Sequence, residues 1–378
     1  MLLLLPVLPF QCVEPFSPEL KGNEELLVIE GIISNAPGPY VLKISTTSGV
    51  GEPFQKPLEG AQVSIIEQGG EEEQLVETKP GKYETSATGF QGVVGKSYKV
   101  SIKTPGGGEY ESAFEKILPP EAIDSVYAAV ESRIDLNYTH DLIGYQFYID
   151  ATVDNEENKY FLWKLTETYK FNVDLIIPFY YSGQILPFPD PDSLFTCYKT
   201  EDVRDIFTFS LGNLSEPRIQ AWPLHYVDTQ VKKLYLRYSL LTKQYTISKE
   251  AFEFWENIKK QNSGLGALYA TQPFQIRGNM RNVLDEDEAV LGYFMAAGYS
   301  EKRIFVSRPS GVPFFYDICV LGEPGPFDFL PLYRSKPSSW PILLGQSPDG
   351  GAIKIAHRLC LDCTAHGATL EKPEFWTE

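Results

Sequence analysis

Turn-forming residues interrupt the first third of this chain so often that no long helix fits there. Between the breaks the segments are short and alternate apolar with polar residues, as in residues 26–33 (LLVIEGII), 40–45 (YVLKIS), 61–66 (AQVSII) and 97–103 (SYKVSIK). A period of two is the mark of a strand with one buried face. The breakers are rich in Pro and Gly: Asn35-Ala-Pro-Gly-Pro39, Pro80-Gly81 and Gly106-Gly-Gly108. Adding 74–77, 82–85 and 109–116 gives about seven strands at turn-limited spacing, the pattern of an immunoglobulin-type β-sandwich. The stretch has no Cys…Trp…Cys framework, so such a sandwich would lack the antibody disulfide.

Leu118-Pro-Pro120 reads as a stiff linker. The division predicted from it is a signal or lipid-anchor segment over 1–19, an Ig-like β-sandwich over 20–118 and a larger β-rich domain over 119–378. Long alternating segments fill that second part, at 145–153 (YQFYIDATV) and 160–173 (YFLWKLTETYKFNV) among others. One short amphipathic helix is expected over 248–261, with Ser248 as its N-cap and Phe252, Trp255 and Ile258 as an apolar stripe for packing. Aromatic residues at 13%, with 28 Pro and 30 Gly, agree with a mainly β protein. Residues 179–195 (FYYSGQILPFPDPDSLF) read as a long exposed loop. Its rings Phe179, Tyr180, Tyr181, Phe188 and Phe195 are the predicted contact surface for a sugar or a partner protein. The competing reading folds them back onto the core of the second domain. The tail after Ser335 reads as irregular.

The chain carries 33 Lys+Arg against 50 Asp+Glu, a net charge of −17, without any basic run. That balance excludes a nucleic-acid-binding face. The apolar run Met1 to Phe10 is far shorter than the roughly 20 residues of a spanning helix. Gln11 and then Cys12 follow it. One reading is a lipoprotein signal whose cysteine becomes the acylated N-terminus, although the basic start of such signals is missing. The other is an apolar strand with a buried free cysteine.

The remaining cysteines are Cys197, Cys319, Cys360 and Cys363. They are expected as disulfides, with three connectivities open. His357, Cys360, Cys363 and His366 offer a zinc-type ligand set, but four ligands in ten residues leave little chain to close a tetrahedron, and no metal site is predicted. Hydrolase, P-loop and dinucleotide motifs are absent, so neither a catalytic residue nor a cofactor is assigned. A Ser/His/Asp triad would have to draw on His140, His225, His357 or His366, none in a recognisable nucleophile context. The acidic runs 71–73 and 285–288 read as solvated loops.

Several pieces in order carry a family resemblance. They are Cys12-Val-Glu-Pro-Phe-Ser-Pro-Glu-Leu20, Leu27-Val-Ile-Glu-Gly31, Gly60-Ala-Gln-Val63, Gly95-Lys-Ser-Tyr98, Gly278-Asn-Met280, Leu291-Gly-Tyr-Phe294, Lys302-Arg-Ile304, Cys360-Leu-Asp-Cys363 and Lys372-Pro-Glu-Phe-Trp376. Together they resemble the domain-of-unknown-function family numbered 4249, over nearly the whole chain. Members are predicted outer-membrane lipoproteins of Bacteroidota, commonly encoded beside a TonB-dependent receptor. The resemblance implies Cys12 as the lipid-bearing residue, an outer-membrane location, and a non-enzymatic accessory role in nutrient capture or import with such a receptor. An exported hydrolase acting on glycan or peptide, or a structural adhesin, is the alternative.

Overall fold

The computed structural model describes residues 25–48, 55–212, 216–264, 276–319, 334–351 and 353–378. Alternation dictates the first layer. In the strand Leu27–Ser34, Leu27, Ile29 and Ile33 point to one side and are buried, while Glu30 on the other is exposed. This strand pairs antiparallel with Val41–Thr46, which continues to Lys82–Glu84 and Val76–Lys79. A second sheet, containing Glu109–Ser112, Ser97–Lys103, Gln62–Glu67 and Glu72–Gln74, faces the first. Ile29, Ile33, Leu42, Ile44 and Tyr83 from one sheet meet Val63, Ile65, Tyr98, Val100 and Ile102 from the other in a single core.

That layered unit is not closed by residues 20–118 alone. The 17-residue strand Leu291–Ser307 runs parallel to Leu27–Ser34, with Ile29 opposite Gly292 and Ile33 opposite Ala296. Met280–Asn282 extends the facing sheet. Met280, Val290, Phe294 and Ala296 therefore complete a core whose other members all lie between Leu27 and Ile117. Gly292 makes the junction possible: its φ is +97°, and an added Cβ would lie 1.9 Å from the carbonyl oxygen of Ile29. Only glycine meets both conditions.

The same shared strand continues into the second half. It pairs with Arg237–Thr246, which pairs with the 13-residue strand Tyr160–Asn172, so one ten-stranded sheet runs through both halves. One face of this half is covered by a three-stranded sheet of Ser125–Arg133, Leu142–Thr152 and Arg218–Asp228. Between them lie Phe147, Ile149 and Ile219 against Phe161, Trp163, Tyr238 and Leu240. The indole of Trp163 donates to Gln244 Oε1 at 2.9 Å and Gln244 Nε2 donates to the Glu121 carbonyl at 2.9 Å, so these buried polar groups stay paired.

The opposite face carries the helix, Lys249–Gly264. Ser248 caps it, its Oγ accepting from Ala251 N at 3.2 Å. Ala251 and Phe254 are its deepest residues, and Phe252, Trp255 and Ile258 flank them against Leu162, Tyr245, Tyr293 and Met295. The fold is mainly β, as its alternation predicts. Two local expectations are corrected. Residues 179–195 are not an irregular loop: Ile176–Tyr181 and Ile185–Pro187 form a hairpin that turns at Gly183, where φ is +79°, and pairs with Ile342–Gln346. Nor is the tail after Ser335 irregular, since Ile342–Gln346 and Lys354–Ile355 belong to this four-stranded sheet and a short helix, Arg358–Leu361, follows.

Candidate functional site

The outward positions of the ten-stranded sheet build a groove of about 470 Å³. Its chemistry follows from pairing. Glu30 lies opposite Lys43, and Lys43 opposite Lys82, in one cross-strand row. Lys164 lies opposite Lys243 in another. All five line the groove, with Asp202, Tyr245 and Tyr299, and Pro37 and Pro39 of the first turn. Two lysine pairs thus face each other directly across a ladder, an arrangement that repels.

Each row also carries a carboxylate, Glu30 opposite Lys43 and Glu301 opposite Lys243. Lys82 pairs with Glu84 at 2.5 Å. Lys43, Lys164 and Lys243 make no salt bridge among the described residues. Lys164 is open to solvent yet surrounded by protein atoms, and its ammonium extends over the Trp255 ring at 5.6 Å. Desolvation holds it below the ordinary lysine range; Glu30 and Asp202 oppose that shift, while Lys43 and Lys243 add to it. Asp202 is also engaged by the Thr166 hydroxyl at 2.8 Å. Tyr245 and Tyr299 pack together at 5.4 Å between ring centres, and Tyr299 donates to Glu301. Burial pushes Tyr245 up to about 12, so its phenol remains neutral.

On the other face a buried carboxylate anchors a second polar cluster. Glu167, 3% exposed, accepts from Lys233 and from the Tyr238 hydroxyl at 2.9 Å. Lys233 reaches Glu201 as well, at 2.9 Å. His225 Nε2 is 3.7 Å from Glu167, beyond hydrogen-bond distance, and is buried without another partner. Burial alone would raise the Glu167 carboxyl, but the imidazole and the ammonium beside it prevail and hold it near 2.

The residues singled out from sequence are distributed as follows. Cys12 lies outside the described residues. The four later cysteines form two disulfides, Cys197–Cys363 and Cys319–Cys360, which fasten the four-stranded sheet and the C-terminal segment to the body. Their thiols are therefore committed, which dissolves the zinc-type set. Its histidines serve locally: His357 Nδ1 accepts from Leu359 N at 3.3 Å and His366 Nε2 meets the Leu359 carbonyl at 2.7 Å. The five aromatic residues do not gather on an exposed surface. Tyr181 is buried against Trp340, Phe179 packs in the same small cluster, Phe188 joins the core beside Leu175, and Phe195 joins the large core of the second half. Tyr180 is half-buried, edge-on to Phe188. The acidic runs also have structural duties: Glu73 accepts from Ser86 N and Phe90 N, and Glu288 accepts from Tyr110.

The groove lysines were not picked out by sequence reasoning. Lys43, Lys164 and Lys243 each sit at an outward position inside an alternating strand, which reads as an ordinary solvated face. A signal exists only once strand order is known.

These features define a two-part β protein, cross-stitched by one long strand, fastened by disulfides and bearing a groove lined by lysines and carboxylates. A family model described as "Domain of unknown function (DUF4249)" matches residues 13–303, and the chain belongs to that family. The match contains all the groove lysines and the shared strand up to Arg303, and it leaves out the segment that the disulfides tie down. Comparison with curated proteins gave no match.

Proposed function

We propose that the protein is a non-enzymatic, lipid-anchored lipoprotein of the outer membrane that serves a TonB-dependent receptor as an accessory subunit for nutrient capture or import. The observation that carries this reading is the cysteine count. Of five cysteines, four are paired in two disulfides, and the fifth is Cys12, separated from the apolar run by Gln11 alone. Structural disulfides belong to oxidising compartments. A cysteine kept apart from them at the end of an apolar leader fits acylation. The several acyl chains of a bacterial lipoprotein hold firmly where one would not.

The non-enzymatic part rests on how the histidines are used. His140 stacks on Phe315 at 3.7 Å, His225 faces Glu167, and His357 and His366 hold local backbone groups. His140, His357 and His366 thus have structural duties, and the groove offers lysines and phenols suited to holding a ligand. The partner and the membrane are what the family resemblance implies.

The test is metabolic labelling with a palmitate analogue, followed by fractionation. Wild-type protein takes up label and sediments with outer membrane; Cys12→Ala takes up none and is released. Equal sedimentation of both forms, without label, overturns the anchor.

A further inference from the structure

We propose that the cavity between Trp222 and the end of the helix Lys249–Gly264 binds a neutral saccharide, with the indole as platform for a sugar face and Arg204, Asp205 and Asn262 as partners for its hydroxyls. This rests on the capture reading and names its class of ligand. The cavity shares no lining residue with the lysine groove, and its test depends on neither anchor nor receptor.

Three observations converge. The first is how Trp222 is held. It lies in the strand Arg218–Asp228, opposite Ile149, and two register shifts bracket it. Gln220 and Ala221 stand against Asp150 alone, and Leu224 and His225 against Phe147 alone. Bulges of this kind re-aim side chains. Ala221 has a φ of +46°, a left-handed conformation that residues other than glycine rarely adopt, and Asp150 Oδ1 fixes it by accepting from Ala221 N at 2.6 Å. Such strain persists only where the surroundings over-determine it, and it gathers at ligand sites. The second observation is the cavity, about 450 Å³, within the roughly 300–1,000 Å³ of small-molecule sites. Its apolar wall is Trp222 with Phe207 and Ile206, and Phe209 packs against the half-buried indole at 4.6 Å between ring centres.

The third observation is the polar rim. Arg204, Asp205 and Asn262 line the cavity, are exposed, and make no hydrogen bond or ion pair among the described residues. A guanidinium only donates, a carboxylate only accepts, and an amide does both. A ligand that satisfies all three must offer groups that donate and accept, as hydroxyls do. The charges balance: Lys259 is held by Glu256 at 3.5 Å and donates to Thr208 Oγ1 at 3.4 Å, which leaves Arg204 against Asp205. No net charge is left to select an ion. A flat aromatic wall with a mixed polar rim fits a ring that has an apolar C–H face and hydroxyls at its edge.

The experiment is a printed array probed with the purified full-length chain, followed by titration calorimetry on what is retained. The array carries neutral oligosaccharides from starch, cellulose, mannan and xylan, the acidic fragments of heparin and polygalacturonate, and a tetra-alanine peptide. Retention of at least one neutral oligosaccharide is expected, without retention of the acidic fragments or the peptide. In calorimetry, Trp222→Leu, which keeps an apolar side chain against Phe209 but removes the platform, should weaken that oligosaccharide by about tenfold. Asp205→Ala and Arg204→Ala should each weaken it by about tenfold, the loss of one charge-assisted hydrogen bond. Both exposed variants should melt as wild type does, so their effect is read on a folded protein. Lys43→Met, in the lysine groove, should leave binding unchanged. Saccharide binding that ignores Trp222, Arg204 and Asp205 overturns the site. Retention of the acidic fragments or the peptide alone overturns the ligand class and leaves capture standing. Retention of nothing on the array overturns the proposal, while the anchor and receptor claims are judged by their own assays.

Discussion

Replacing Glu167 with Gln removes one charge from the best-buried carboxylate of the second half while keeping an acceptor for Tyr238. The folded carboxyl is held near 2, against an ordinary 4.5. A depressed carboxylate contributes stability that is fully present above its unfolded value and is lost as the pH falls through the folded one. At 1.36 kcal/mol for each pH unit in that window, Glu167 contributes about 3 kcal/mol at neutral pH. Lys233 keeps Glu201 at 2.9 Å in the variant, so the loss falls at the lower end of the roughly 3–5 kcal/mol for a broken buried pair. Urea unfolding of both proteins measures it, with the midpoint difference converted through a common slope. Glu167→Gln should be less stable by about 3 kcal/mol near pH 7, and the gap should close as the pH falls from 4.5 toward 2. Carboxylates outside this cluster titrate equally in both forms and cancel. A gap of the same size at neutral and acid pH would refute the electrostatic account and leave packing as the cause.

Other substitutions test the scaffold. Gly292→Ala places a Cβ 1.9 Å from the Ile29 carbonyl at a φ of +97°, so a cost above about 4 kcal/mol and loss of folded yield are expected; a normal urea midpoint would contradict the parallel junction. Joint replacement of Cys197 and Cys363 by Ser opens a loop of 166 residues, for which chain entropy gives a loss of about 5 kcal/mol, seen as a lower melting temperature under non-reducing conditions and absent when both proteins are reduced. Ser248→Ala removes the bond to Ala251 N and should cost about 1 kcal/mol in urea midpoint.

What could be read in advance was local. The period-two runs at 26–33, 97–103 and 160–173 became strands because each buries one row of side chains, and the Ser248 cap began a helix as its hydroxyl requires. The hairpin at 176–187 was missed because Pro178 and Pro187 mask its alternation; both lie in a small sheet where a missing N–H is tolerated. Long-range pairing left no local trace. Nothing in LVIEGIIS announces that it lies beside residues 291–297, so a boundary drawn at Pro119 and Pro120 cuts a sheet that runs through both halves. The groove depends on that order too. Lys43 and Lys164 are single polar positions in their own strands and become a site only when the ten-stranded sheet brings them to one face.

The central claim is that this chain works at a membrane beside a receptor. The most direct measurement is recovery of tagged protein from its native outer membrane under mild detergent, with Cys12→Ala as control and mass spectrometry of what comes with it. The account predicts a TonB-dependent receptor in near-stoichiometric amount with wild type and its loss or sharp reduction with Cys12→Ala. Wild-type protein recovered without any receptor, and equally membrane-bound without Cys12, would contradict it.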